Sequence, residues 1–165
     1  MPTIFTIEDL KFKEDPLSVD NFKILTAHPR LSKVAESEHL IFDIRLLNPD
    51  QFSFPYHFHR HAEELMMIIS GSVTLRSPKG LQVLTQGDII FFEMGESGVH
   101  QLYNHTEKPC RYLDIKTHLD NDVCEYPDSD KISVSHYGEI YEKSTRVDYF
   151  KGEENIKKIW ENLNQ

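Results

Sequence analysis

From Leu40 onward the apolar residues of this chain recur at nearly every second position, in short runs broken by Asn, Asp, Gly, Pro and Ser. That is the period of a β-strand, which sends successive side chains to opposite faces. In the run from Leu40 to Asn48, Leu40, Phe42, Ile44 and Leu46 share one face and Ile41, Asp43 and Arg45 the other, so a half-buried strand is predicted, closed by the turn signal Asn48-Pro49-Asp50. A second strand is expected over residues 52–59. Further strands are predicted in EELMMIIS, SVTLRS, LQVLT, DIIFF, VHQLYN and CRYLDIKT, with turns at Ser77-Pro78-Lys79-Gly80 and Gln86-Gly87-Asp88. So many strands in so short a span imply an all-β sandwich or barrel.

The runs Leu65 to Ile69 and Ile89 to Phe92 are apolar on both faces, so a cover is needed outside as well as inside. A homodimer interface is the expected cover, with packing of the N-terminal segment as the alternative. At 165 residues the chain has the size of one domain. Residues 1–38 are read as an N-terminal arm of that domain, 39–136 as the barrel, and 137–165 as a C-terminal extension. In the extension Ile156, Ile159, Trp160 and Leu163 fall at helical spacing. That stripe is expected to dock on the barrel or on a second subunit.

A formal charge of −9 with no Lys/Arg-rich run disfavours nucleic acid and anionic membrane surfaces as partners. The N-terminal stretch reads neither as a secretory signal nor as a membrane span, and a cytoplasmic location is expected. Cys110 and Cys124, without a CxxC pattern, are read as reduced thiols with no chemistry of their own.

Three of the nine histidines fall within five residues, His57-Phe58-His59-Arg60-His61. On a regular strand all three would face the same way. Imidazole is the commonest protein ligand of transition metals, and a nearby carboxylate can complete a set with open positions. Glu64, at the start of the next strand, fits that role. Glu63 should point the opposite way, into solvent.

The surrounding pattern resembles the cupin superfamily, as small single-domain bacterial members show it. The first cupin motif, HxH, four residues, Glu, six residues, Gly, reads here as His57, His59, Glu64 and Gly71; the second runs from Gly87-Asp88 to His100 and Asn104. The resemblance implies a double-stranded β-helix, or jelly-roll barrel, that brings both motifs together. It also implies four ligands, His57, His59, Glu64 and His100, for one divalent ion, Fe, Mn, Ni or Zn. His61 lies outside the pattern. Gln51 stands where the first motif usually begins with Gly, Glu93 replaces a usual Pro, and two extra residues within Glu96-Ser97-Gly98-Val99 precede His100.

Such a centre leaves one or two coordination positions for a small-molecule ligand or substrate. By parity, Ser53 and Pro55 share the His57 face, Met66 and Ile68 that of Glu64, and Leu102 that of His100. The expected pocket is thus mostly apolar with one hydroxyl. Arg45, Arg76 and Arg111 are the candidate basic groups for a phosphate, none placed in the pocket by parity. A metal-dependent enzyme on a small organic molecule is the leading reading, with oxygenase chemistry slightly ahead of sugar or sugar-phosphate isomerase chemistry. A non-catalytic small-ligand-binding or sensing barrel is the alternative.

Overall fold

The period-two runs become strands in the computed structural model, which describes residues 1–134 and 137–163. In chain order these are β1 (Phe12–Glu14), β2 (Ile24–Ala27), β3 (Leu40–Leu47), β4 (Phe58–His59), β5 (Glu64–Ser70), β6 (Ser72–Ser77) and β7 (Gly80–Thr85). They continue with β8 (Ile89–Phe92), β9 (Gln101–Tyr103), β10 (Cys110–Thr117), β11 (Val123–Tyr126), β12 (Lys131–Val134) and β13 (Glu139–Glu142). One wall of the barrel is a six-stranded sheet in the order β1-β2-β3-β10-β5-β8. The other joins β7-β6-β9 to β4-β11-β12-β13 through the bridges Phe52↔Tyr103 and His57↔His100. The fold is the double-stranded β-helix with a short C-terminal helix. Between the walls lies a core that includes Ile24, Leu47, Met66, Ile68, Val73, Leu102 and Tyr112.

Only Phe58 and His59 of the stretch 52–59 form a regular strand; bridges at Phe52 and His57 hold the rest. Pro55 interrupts the ladder there, since it has no N–H to donate. A second departure concerns β3. Asp43 and Arg45 face the barrel interior, while Phe42 and Ile44 face outward. The outward face is not solvated, because Phe5, Ile7, Leu10, Phe12 and Leu31 of the N-terminal segment pack over Phe42, Ile44, Ile69 and Leu113. Residues 1–38 thus pack on the outer face of the barrel. They contribute β1, β2 and the helical turn α1 (Leu31–Val34).

This cover stops short of the β5–β8 edge. Met67 pairs across from Ile89 and Leu65 from Phe91, and Met67, Ile89 and Phe91 are 37, 64 and 54% exposed. The expected C-terminal helix, α2, spans Ile156–Leu163, but none of its residues is buried and, among the described residues, its apolar stripe belongs to neither core cluster. Both cysteines are buried free thiols. Among the described residues no helix is long and apolar enough to cross a membrane.

Candidate metal centre

His57 and His59 enter the barrel interior from the segment that bridges the two halves of the second wall. His100 lies directly opposite His57 in a two-residue bridge, with each backbone N–H donating to the other's carbonyl, at 2.9 and 3.2 Å. Glu64 opens β5 on the facing sheet, across β10 from the pocket-lining strand β3. All four side chains are buried.

The three imidazoles are fixed in the same way. His57 Nδ1 lies 2.8 Å from Pro55 O, His59 Nδ1 2.6 Å from Asp122 Oδ2, and His100 Nδ1 2.9 Å from Gly98 O. Each partner can only accept, so each Nδ1 carries the proton and each Nε2 keeps a lone pair for the interior. His59 Nε2 and His100 Nε2 stand 3.6 and 3.5 Å from Glu64 Oε2. One ligand atom each from His57, Glu64 and His100 fits within a sphere of contacts no longer than 4.8 Å. The turn before His100, where the two extra residues fall, is a single 3₁₀ turn over Glu96–Gly98 that supplies the carbonyl holding His100.

Glu64 Oε2 and His100 Nε2 are buried without a hydrogen-bond partner. An ionised Glu64 facing the lone pair of His100 in a buried site is an unfavourable arrangement, which protonation of Glu64 relieves in the metal-free protein and which a divalent cation between the two would relieve by satisfying both. Burial pushes the Glu64 carboxyl well above its usual range, with the nearby Asp114 charge adding to the effect. Burial also holds His100 down to about 4, and burial with the neighbouring His100 and His59 holds His57 well below its usual value. Neutral imidazoles are the form that ligates metal. The residues present thus fit a metal ion.

His61, which shares sequence parity with His57 and His59, is exposed; only its backbone N–H turns inward, toward Asp122 Oδ1 at 3.3 Å. The side chain of Glu63 is exposed too. Two residues near the centre carried no signal in the sequence. Asp122 lies in a turn 63 positions from His59, beyond any local pattern. Cys124, paired in register with His59, brings its sulfur within 4.8 Å of ligand atoms of His57 and His59. Burial pushes that thiol up to about 12, so it is a neutral group in the metal-free protein.

The centre lies at the side of an open cavity of about 620 Å3. Ser53 and Pro55 line it as expected, but Met66, Ile68 and Leu102 belong to the packed core instead. Most of the lining is apolar, as expected, with Phe22, Phe54 and Ile140 among it, but one part of the wall carries charged residues, Asp15, Arg30, Asp43, Arg45, Asp114 and Lys116. Parity placed Met66, Ile68 and Leu102 on inward faces, but there they pack into the core instead of lining the cavity. Arg76 and Arg111 lie elsewhere, the first paired with Asp128 and over the Tyr56 ring, the second over Phe12.

Residues 44–116, which hold both motifs, match the cupin domain family. The chain contains a cupin domain. Among curated proteins none matches it in sequence. Solved structures share the fold. A protein of Acidithiobacillus ferrooxidans, provisionally named a sugar phosphate isomerase, superposes with a TM-score of 0.78 at 20% identity, over 88% of this chain and 95% of that chain. A cupin-superfamily sugar phosphate isomerase from Silicibacter pomeroyi gives 0.75 at 18% identity, over 89% and 98%. The polyketide cyclase RemF of Streptomyces resistomycificus gives 0.57 at 19%, over 71% and 80%.

Proposed function

We propose that this protein is a metal-dependent enzyme that moves a proton between adjacent carbons of a small hydroxy-carbonyl compound, an isomerase-type reaction. His57, His59, Glu64 and His100 would hold one divalent ion, Fe, Mn, Ni or Zn. That ion would act as a Lewis acid, polarising the carbonyl of a bound molecule. The observation that carries the reading is the pair of buried, unpartnered polar atoms, Glu64 Oε2 and His100 Nε2, 3.5 Å apart beside a cavity with a partly charged wall.

The charged part of that wall favours isomerase over oxygenase chemistry, the opposite order to the one expected from sequence. Asp114 sits against Glu64, and although burial opposes its charge, Arg45 holds its carboxyl below the usual range. An ionised carboxylate next to the centre can accept a proton, and its lowered range makes it a weak base that returns the proton readily. Lys116 and Arg45 balance the charge around it. Two of the proteins sharing the fold bear the name of sugar phosphate isomerases. At their identities that likeness is one of fold, so the reading rests on the cavity.

Incubation of the metal-loaded protein with a panel of small hydroxy-carbonyl compounds in heavy water tests it. Deuterium entering the carbon next to the carbonyl, without oxygen uptake, is the expected result. Oxygen uptake that depends on a panel member would favour the oxygenase; saturable binding with neither signal would favour the non-catalytic ligand-binding barrel. The uncovered strip of Met67, Ile89 and Phe91 supports a homodimer through the β5–β8 edge.

A further inference from the structure

Away from the histidines, Asp43 and Arg45 of β3 and Asp114 of β10 line the cavity, and each is buried. Arg45 Nε donates to Asp114 Oδ2 at 2.6 Å, but Arg45 Nη1 has no hydrogen-bond partner and lies 4.0 Å from Asp15 Oδ2. Asp43 accepts the Ile44 N–H on Oδ1 at 2.9 Å, and the Leu31 N–H also favours its charge, but its Oδ2 makes no well-formed hydrogen bond. Both residues line the same space, and the lone donor and the lone acceptor sit on alternate inward residues of one strand, buried at its wall. Leaving either unpaired in a buried site is costly.

The surroundings decide what could pair with both. Arg45 is already flanked by Asp15, Asp43 and Asp114. An incoming carboxylate or phosphate would meet three like charges around a single guanidinium. A hydroxyl carries no charge, and it can accept from Arg45 Nη1 and donate to Asp43 Oδ2. The distance is also suitable. Asp43 is opposite Asp114, which is opposite Met66, two residues along β5 from Glu64. Two strand spacings of about 4.8 Å and two residues of about 3.4 Å place the Cα atoms of Asp43 and Glu64 roughly 12 Å apart. The two side chains close part of that gap from either end.

We propose that Asp43 and Arg45 form a hydroxyl-recognition subsite, so that the molecule bound in this cavity is a short polyhydroxylated chain with its far hydroxyls on this wall. The proposal deepens the metal reading above and rests on it for which end of the molecule faces the histidines. Asp43 and Arg45 are binding residues here, remote from the reacting atoms.

Calorimetry on the full chain loaded with Mn(II) tests it with two hydroxy acids of equal carbon number. Erythronate carries two hydroxyls beyond its chelating head; 2-hydroxybutyrate carries none. Erythronate should bind about tenfold more tightly to the wild-type protein. In Asp43→Asn and Asp43→Ala the difference should shrink to within about twofold, with 2-hydroxybutyrate binding unchanged. Equal binding of the two acids by the wild type, no measurable binding of erythronate, or a preference that survives in both variants would overturn the proposal. The same preference in metal-free protein, still abolished by the variants, would uphold the subsite and count against the metal reading.

Discussion

His59 Nδ1 lies 2.6 Å from Asp122 Oδ2, and this contact fixes both the tautomer and the tilt of a ring whose Nε2 faces Glu64. Outer partners of this kind typically govern metal affinity by 10–100-fold. Asp122→Ala should therefore weaken metal binding by about one to two orders of magnitude. Asp122→Asn, whose amide oxygen still accepts, should fall between it and the wild type. Titration with Mn(II) or Co(II) followed by calorimetry measures both.

Two carboxyls that are not themselves candidate ligands should shape the dependence of stability on pH in opposite directions. Burial would raise Asp122, but the His59 hydrogen bond and the His59 and Lys116 charges outweigh it and bring it down to about 2. Its contribution, on the order of 2 kcal/mol, is present above the unfolded value near 4 and is lost as pH falls through about 2. Asp43 is raised by burial to about 6, against the pull of Arg45. The folded state then binds the extra proton, so Asp43 lowers stability as pH rises from about 4 through 6. Asp43→Asn should match the wild type near pH 4 and exceed it by roughly 1–2 kcal/mol at pH 7, in urea unfolding at the two pH values. A residue that lowers stability in this way fits a binding role better than a structural one.

Gly98 admits no side chain. A Cβ there would stand 1.9 Å from Glu93 O and 2.9 Å from the carbonyl carbon. Gly98→Ala must shift the turn that supplies the acceptor for His100 Nδ1. A loss of roughly 1–3 kcal/mol in unfolding free energy is expected. Weaker metal binding should accompany it, because the two effects share one turn. Unfolding and metal titration on the same preparation check the coupling.

Phe91 is 54% exposed on the outer strip beside Met67 and Ile89. If that strip is the homodimer contact, sedimentation should find the wild type dimeric and Phe91→Asp monomeric. Metal content should stay the same in both.

The candidate ligands were legible because they are local. His57, His59 and Glu64 lie within eight residues, and His100 and Gly71 stand at motif spacing. The charged part of the cavity wall was not legible, and β3 shows why. A strand reading Leu-Ile-Phe-Asp-Ile-Arg-Leu suggests an apolar inner face and a solvated Asp43 and Arg45. The inversion depends on distant partners: Asp114, 69 positions from Arg45, takes its charge from inside, while Phe5 and Leu31 cover Phe42 and Ile44 outside. Period alone gives two faces without saying which is buried. Asp122 and Cys124 were hidden for a related reason, since they reach the centre only through the pairing of β11 with β4.

The most direct test is the metal content of protein purified without chelator or histidine tag, beside His59→Ala and Glu64→Ala. Near one equivalent of iron, manganese, nickel or zinc in the wild type, lost in both variants with the fold retained, is the predicted result. Wild-type protein that is metal-free and takes up none of these ions when they are added would contradict the account.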